Sequence, residues 1–170
     1  SRYQVRTNVG GQEVEISEDV IPWTNIYNTM TLERPGDIYT PNDCSVGDVD
    51  GDGEYELFVK WDPSTSQDNS KSGKTDKVYI DCYKMTRELS HNCQLLWRVD
   101  LGYNIRAGAH YTQFLVYDFD CDGRSEMICK TAPGSSDGLK RYVTEAATDT
   151  EILNATDNTT SYRNGNGYVL

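Results

Sequence analysis

Twice in this chain, carboxylates recur at every second position of a short loop. The first run is Asp48-Val49-Asp50-Gly51-Asp52-Gly53-Glu54-Tyr55-Glu56, and the second is Asp118-Phe119-Asp120-Cys121-Asp122-Gly123-Arg124-Ser125-Glu126. Alternating acids converge on one point when a glycine lets the backbone turn sharply, and they then offer only hard oxygens. Ca²⁺ takes about six to eight such oxygens at flexible geometry, whereas Mg²⁺ keeps more water and tolerates the cage less well. The pattern assigns Asp48, Asp50, Asp52, the Glu54 carbonyl and Glu56 to one ion, and Asp118, Asp120, Asp122, the Arg124 carbonyl and Glu126 to another. Neither loop is an EF-hand: the last acid falls at the ninth position rather than the twelfth, and a strand-like run follows in place of a helix. A solvated acidic turn is the bland alternative. The double occurrence, with matching Gly and Glu, favours structural calcium, because carboxylates this close repel when uncompensated.

The elements that must position these loops read as strands. Period-2 apolar alternation marks Val14–Ile16, Tyr55–Trp61, Val78–Met85, Leu95–Leu101, Gln113–Tyr117 and Glu126–Thr131, bounded by Gly, Asp, Asn and Pro. Helix signals are few, so the expected class is all-β. Residues 1–37 lack the acidic loops and end in the turn Pro35-Gly36-Asp37, which suggests a small β-subdomain or leading strand pair; residues 38–170 form the main body. Within that body residues 48–60 align with 118–130, 70 positions later, with six of thirteen identical, and Pro63 and Pro133 extend the match. Repeats holding several short strands suggest propeller blades, although blade periods run to only about 40–50 residues, so the surplus is loop. Ser64–Asp76 and Thr144–Gly167 are the candidates for it. Two blades do not close a ring of the usual four or more, so the chain is expected to be a segment of something larger.

Composition removes other classes. With 16 Lys+Arg against 27 Asp+Glu, the net charge is −11, the opposite of the clustered positive surface that nucleic-acid binding needs. Two bound Ca²⁺ would offset four of those eleven charges. The mean hydropathy of −0.68 is low, but 11% aromatic content argues against disorder. No apolar run approaches the roughly 18 residues of a membrane span, and no charged-then-apolar leader precedes Ser1, so a soluble protein is expected whose signal peptide, if it has one, has been removed or left out. Cys44, Cys82, Cys93, Cys121 and Cys129 are odd in number and lack C-x-x-C spacing, which disfavours zinc. Cys82 and Cys93 lie on neighbouring strand-like runs, where a cross-hairpin disulfide competes with a reading as small buried hydrophobes. Sequons at Asn154 and Asn158 are the kind of triplet that Asn/Thr-rich loops produce by chance.

Three further stretches carry more specific information: Asn42-Asp43-Cys44-Ser45-Val46-Gly47 leading into the first loop, Lys60-Trp61-Asp62-Pro63-Ser64 after it, and Leu96 to Phe114, containing Trp97-Arg98-Val99-Asp100-Leu101-Gly102 and Ala107-Gly108-Ala109-His110-Tyr111. Taken with the acidic loops, these segments resemble the rhamnogalacturonan lyases of polysaccharide lyase family 11, over most of residues 14–143. The resemblance implies the N-terminal portion of a secreted, calcium-dependent enzyme: a small β-domain followed by blades of an eight-bladed propeller. It places Asn42 and Asp62 against the galacturonate–rhamnose chain and makes Asp43 an extra ligand of the first calcium. Cys121 departs from the usual Gly of the second loop, and the Met85–Asn92 hairpin is longer than typical; neither removes a carboxylate.

The implied reaction is β-elimination on the rhamnogalacturonan I backbone. Calcium against the uronate carboxylate would acidify the C5 proton, and a base would remove it as the 4-linked rhamnose leaves. Within the chain, His110, Lys60, Lys130 and Arg106 are the possible bases. Each has a structural alternative: a satisfied core histidine, a repeat-equivalent lysine pair, an arginine paired with a blade acid. Trp61 and Trp97 suit either sugar stacking or core packing. The base is expected to lie outside these 170 residues, and the segment alone to be inactive. The competing class is a non-catalytic, calcium-stabilised extracellular β module for carbohydrate binding or structural assembly.

Overall fold

Alternation of apolar and polar side chains translates into strands because successive residues of an extended chain point to opposite faces. A computed structural model describes residues 2–20, 22, 27, 29–68, 71, 73–85, 93–108 and 112–157. It divides into two compact units, Ser1–Met30 and Thr31–Leu170. The first holds an antiparallel hairpin, β1 (Arg6–Val9) and β2 (Gln12–Ile16), closed by a turn in which the Gly11 amide donates to Asn8 Oδ1 at 2.9 Å. In the second, β3 (Tyr39–Gly47), β4 (Glu56–Pro63), β5 (Tyr79–Met85) and β6 (Cys93–Asp100) form a four-stranded antiparallel meander in sequence order. A separate hairpin follows, β7 (Phe114–Tyr117) and β8 (Glu126–Cys129). A 3₁₀ turn at Val143–Ala146 and a single helical turn at Thr150–Leu153, capped by Asp149, are the described helical pieces. The all-β class stands.

Two apolar layers lie on the two faces of the meander. On one, Val78, Ile80 and Leu101 pack with Ile105, Ala107 and Ala132, and Phe114, Met127 and Cys129 of the β7–β8 hairpin join them. On the other, Tyr39, Val59, Trp61 and Tyr83 pack with Leu32, Leu57 and Leu95. Strand β4 is therefore covered on both sides, and Phe58 and Val59 are fully buried. Residues 31–37 belong with this unit, since Leu32 packs on its second layer and the Glu33 carbonyl accepts from Arg98 Nη2 at 2.5 Å. The division thus falls before the Pro35-Gly36-Asp37 turn rather than after it.

A buried ion pair sits within the second layer. Asp81, fully buried, receives Arg98 Nε on Oδ1 at 2.7 Å; its Oδ2 accepts from Arg98 Nη2, Trp61 Nε1 and the Tyr83 hydroxyl, each at 2.7 Å. Such a pair is tolerated because both Asp81 oxygens accept hydrogen bonds, from the guanidinium and from two neighbouring side chains. Burial, reinforced by Asp81, pushes the Tyr83 phenol well above its ordinary range.

The register rejects the Cys82–Cys93 disulfide. Cys82 stands opposite Trp97, while Cys93 stands opposite Met85. Cys82 shares its face with the register-aligned Phe58 and Trp97, whereas Cys93 packs with the Tyr83 layer on the other side. Thiols on opposite faces of a sheet cannot reach the roughly 2 Å of an S–S bond. All five cysteines are free.

Candidate functional site

The first acidic loop joins β3 to β4 and is folded by its own carboxylates. Asp48 Oδ1 accepts the Gly51 amide at 2.6 Å, and its Oδ2 accepts that of Gly53 at 2.8 Å. Asp52 Oδ1 accepts the Glu54 amide at 2.8 Å, and Glu56 Oε2 accepts that of Val49 at 2.8 Å. These bonds leave oxygens of Asp48, Asp50 and Glu56 within 4.8 Å of one another. Glu56 is fully buried, and its Oε1 has no hydrogen-bond partner. A buried carboxylate oxygen without a hydrogen bond is costly, and a nearby positive charge offsets that cost. Opposite, the Lys84 ammonium donates to Asp50 Oδ2 at 2.5 Å and Asp52 Oδ2 at 2.7 Å, and lies 3.4 Å from Glu56 Oε1. The bond from Lys84 holds the Asp52 carboxyl below its ordinary range.

The second loop, between β7 and β8, repeats this net 70 residues on. Asp118 Oδ2 accepts the Gly123 amide at 2.9 Å, Asp122 Oδ1 that of Arg124 at 2.8 Å, and Glu126 Oε2 that of Phe119 at 2.9 Å. Here Asp118, Asp120 and Asp122 converge within 4.8 Å. The sharp turn needs a left-handed residue: Gly51 has φ 78° in the first loop, and Cys121 takes φ 62° at the matching position. A side chain there is strained. The loops adjoin, since the Ser125 amide donates to the Asp48 carbonyl at 2.6 Å. Gly47 makes that approach feasible, because a Cβ on it would stand 2.6 Å from Val116 Cγ1 and 2.7 Å from Ser125 Cβ.

A second group of polar residues lies along β3 and β4. Pro41 opposes Trp61 and Cys44 opposes Val59, so Asn42 and Asp43 form a bulge, a device that re-aims side chains. Asn42 and Asp43 are exposed. Lys60, fully buried, donates to Asp43 Oδ2 at 2.5 Å. Asp62 is 9% exposed and its Oδ1 has no partner. Burial raises the Asp62 carboxyl above its ordinary range, Lys60 counteracts this in part, and Asp43 adds to it. Asp43 thus meets Lys60, while the first loop's converging oxygens come from Asp48, Asp50 and Glu56.

The remaining candidates separate. His110 lies outside the described residues, as does the hairpin after Met85. Arg106, 5% exposed, donates to the carbonyls of Gln67, Asp68, Lys71 and Gly73 at 2.8–3.4 Å, so it latches the Ser64–Asp76 loop. Lys130 is exposed although its repeat partner Lys60 is buried. Trp61 is core, and Trp97 meets Phe58 edge-on at 5.5 Å. Glu54 and Arg124 have their amides tied to Asp52 and Asp122. Lys84 is a site residue that motif reading passes over; its signal is positional, one step beyond the Leu57–Tyr83 pair and so across from Glu56.

The fold and the site together define an all-β chain in which two repeat-related acidic loops lie beside a cluster of buried charge. Residues 21–170 match the family model described as Rhamnogalacturonan lyase family 11, C-terminal domain, and the chain belongs to that family. It is 46% identical to the rhamnogalacturonan endolyase YesW of Bacillus subtilis (strain 168), over all of this chain and 26% of that protein. To the exolyase YesX of the same organism it is 44% identical, over 88% of this chain and 25% of the relative. Among solved structures, a Bacillus licheniformis rhamnogalacturonan lyase superposes with a TM-score of 0.71 at 47% identity, covering 87% of this chain and 26% of the other. The chain therefore spans about a quarter of the length of the relatives it matches. Among the described residues, no helix is long and apolar enough to cross a membrane.

Proposed function

We propose that this chain is part of a secreted, calcium-dependent lyase that cleaves the rhamnogalacturonan I backbone by β-elimination at galacturonate C5. In this reading the β3–β6 meander is a propeller blade and β7–β8 opens the next. The observation that carries it is family membership combined with two buried carboxylate oxygens that lack hydrogen bonds, on Glu56 and Asp62, at the positions the motifs single out. Asp48, Asp50 and Glu56 have the hard-oxygen chemistry and convergence that calcium requires, as do Asp118, Asp120 and Asp122. Asp52, Asp43 and Glu126, with the Glu54 and Arg124 carbonyls, complete the proposed donor sets. When bound, calcium would supply charge neutralisation for the loops and, at the substrate carboxylate, electron withdrawal from C5.

The chain's own residues bind and orient. Asn42, projected by the bulge, and Asp62, with one unpaired oxygen, suit hydrogen bonds to sugar hydroxyls. Lys60 holds Asp43 through its ion pair, fixing the bulge from below. No base is assigned among the described residues, and His110 stays the candidate within the chain. The test is mass spectrometry of products formed from rhamnogalacturonan I by the protein at its native length. Fragments one water lighter than hydrolysis products establish elimination. Unchanged polysaccharide, from a protein that still melts in a calcium-dependent way, would favour the non-catalytic module.

A further inference from the structure

The two acidic loops share a backbone hydrogen-bond net but differ in charge environment. At the first loop an ammonium already sits on the carboxylates: Lys84 Nζ reaches Asp50 at 2.5 Å, Asp52 at 2.7 Å and Glu56 at 3.4 Å. At the second, no lysine or arginine among the described residues pairs with Asp118, Asp120 or Asp122, which lie equally close together. The difference comes from topology. Glu56 begins β4, and β5 runs beside it and brings Lys84, one step beyond the Leu57–Tyr83 pair, across from it; Glu126 begins β8, which among the described residues has β7 alone beside it.

Resting on the calcium reading above, we propose that Lys84 is a resident counter-cation of the first loop, which a divalent ion must displace. Asp50 and Glu56 contribute both to the converging oxygens and to the contacts with the ammonium. A carboxylate oxygen capped by N–H is a poorer ligand, and two cations a few ångströms apart repel. Binding at the first loop is therefore an exchange: calcium enters as the ammonium swings out to solvent. The second loop binds without that step. Two consequences follow: the first loop takes calcium more weakly than the second, and it keeps its shape without metal because the lysine offsets its repulsion.

The test is equilibrium dialysis with radioactive calcium on the protein at its native length. Wild type minus Asp50→Asn isolates the first loop, and wild type minus Asp120→Asn isolates the second. Lys84→Met keeps the apolar stem and removes the ammonium; Lys84→Gln serves as a second neutral variant should Met misfold, and Lys84→Arg retains the charge. Each neutral variant, differenced against its own Asp50→Asn double, should bind calcium at the first loop at least about tenfold more tightly, corresponding to about 1.4 kcal/mol. The second loop should be unchanged, and Lys84→Arg should follow wild type. In excess chelator the neutral variants should melt below wild type. An unchanged or weakened first-loop affinity would overturn the exchange while leaving the calcium reading intact. No calcium bound by the first loop in wild type or in any variant would remove both.

Discussion

At the residue scale, the sharpest contrast is between Lys60 and Asp62. The lysine is fully buried and paired; the carboxylate two positions on is nearly as buried and keeps an oxygen without a partner. Such an oxygen costs stability, so it is a candidate for function. Asp62→Asn should lower turnover of rhamnogalacturonan I at least about tenfold, the effect of losing a charged hydrogen bond of about 1.5–3 kcal/mol. Its stability should behave oppositely. Because the folded carboxyl is raised from 3.8, the native state holds the proton more tightly than the unfolded chain. The wild type then gains stability against the variant as pH falls toward 3.8 and loses it as pH rises through the folded value. Urea unfolding of both proteins across that range checks the sign, and a wild type that loses ground on acidification would refute it. Cys121 offers a second test. Cys121→Gly should stabilise by about 1 kcal/mol, because glycine adopts φ near 62° without strain. For a domain of this size that is roughly 2–4 °C in melting midpoint, and a lower midpoint would show that the cysteine has contacts worth more than the strain.

At the scale of elements, Gly47 and Asp81 hold the arrangement. Gly47→Ala should cost about 1–3 kcal/mol by driving a methyl into Val116 and Ser125. It should also loosen the Ser125–Asp48 bond between the acidic loops, read as faster amide exchange at Ser125. Asp81→Ala should cost about 3–5 kcal/mol, since it removes the buried charge partner of Arg98 and the acceptor shared by Trp61 Nε1 and the Tyr83 hydroxyl. Denaturant midpoints measure both, and a change within 0.5 kcal/mol in either case, about what an ordinary surface substitution gives, would contradict the packing described. Strands β4 to β8 were legible from alternation because their apolar sets face real layers. Strand β3 was not: its burial is confined mainly to Tyr39 and Gly47, and the bulge at Asn42-Asp43 breaks the period of two. The β1 strand, Arg-Thr-Asn-Val, holds a single apolar residue, so no alternation marks it, whereas the equally exposed β2 shows Val14 and Ile16. Of the two readings of Cys82 and Cys93 the disulfide falls away, because strand adjacency says nothing about face, which depends on register.

At the scale of the whole molecule, the acidic loops were legible as a repeat because carboxylate spacing is a local property, and the structure shows the same amide bonds in both copies. The differing charge around them was not legible, because Lys84 and Glu56 meet across strands that are far apart in sequence. With a net charge of −11 and a thin pair of apolar layers, metal binding is expected to contribute directly to folding. Asp50→Ala and Asp120→Ala should each lower the melting midpoint in calcium and have little effect in chelator.

In the proposed function, this chain contributes part of the scaffold and of the substrate cleft for a calcium-dependent elimination on rhamnogalacturonan I. Its most direct measurement is the ultraviolet absorbance of unsaturated uronate released by the protein at its native length, in calcium and then in excess chelator. Absorbance should grow steadily in calcium, stop on chelation and recover when calcium is restored, with no growth from the 170-residue segment alone. Equal rates with and without free or bound calcium, or no absorbance from a folded, calcium-loaded protein, would contradict it.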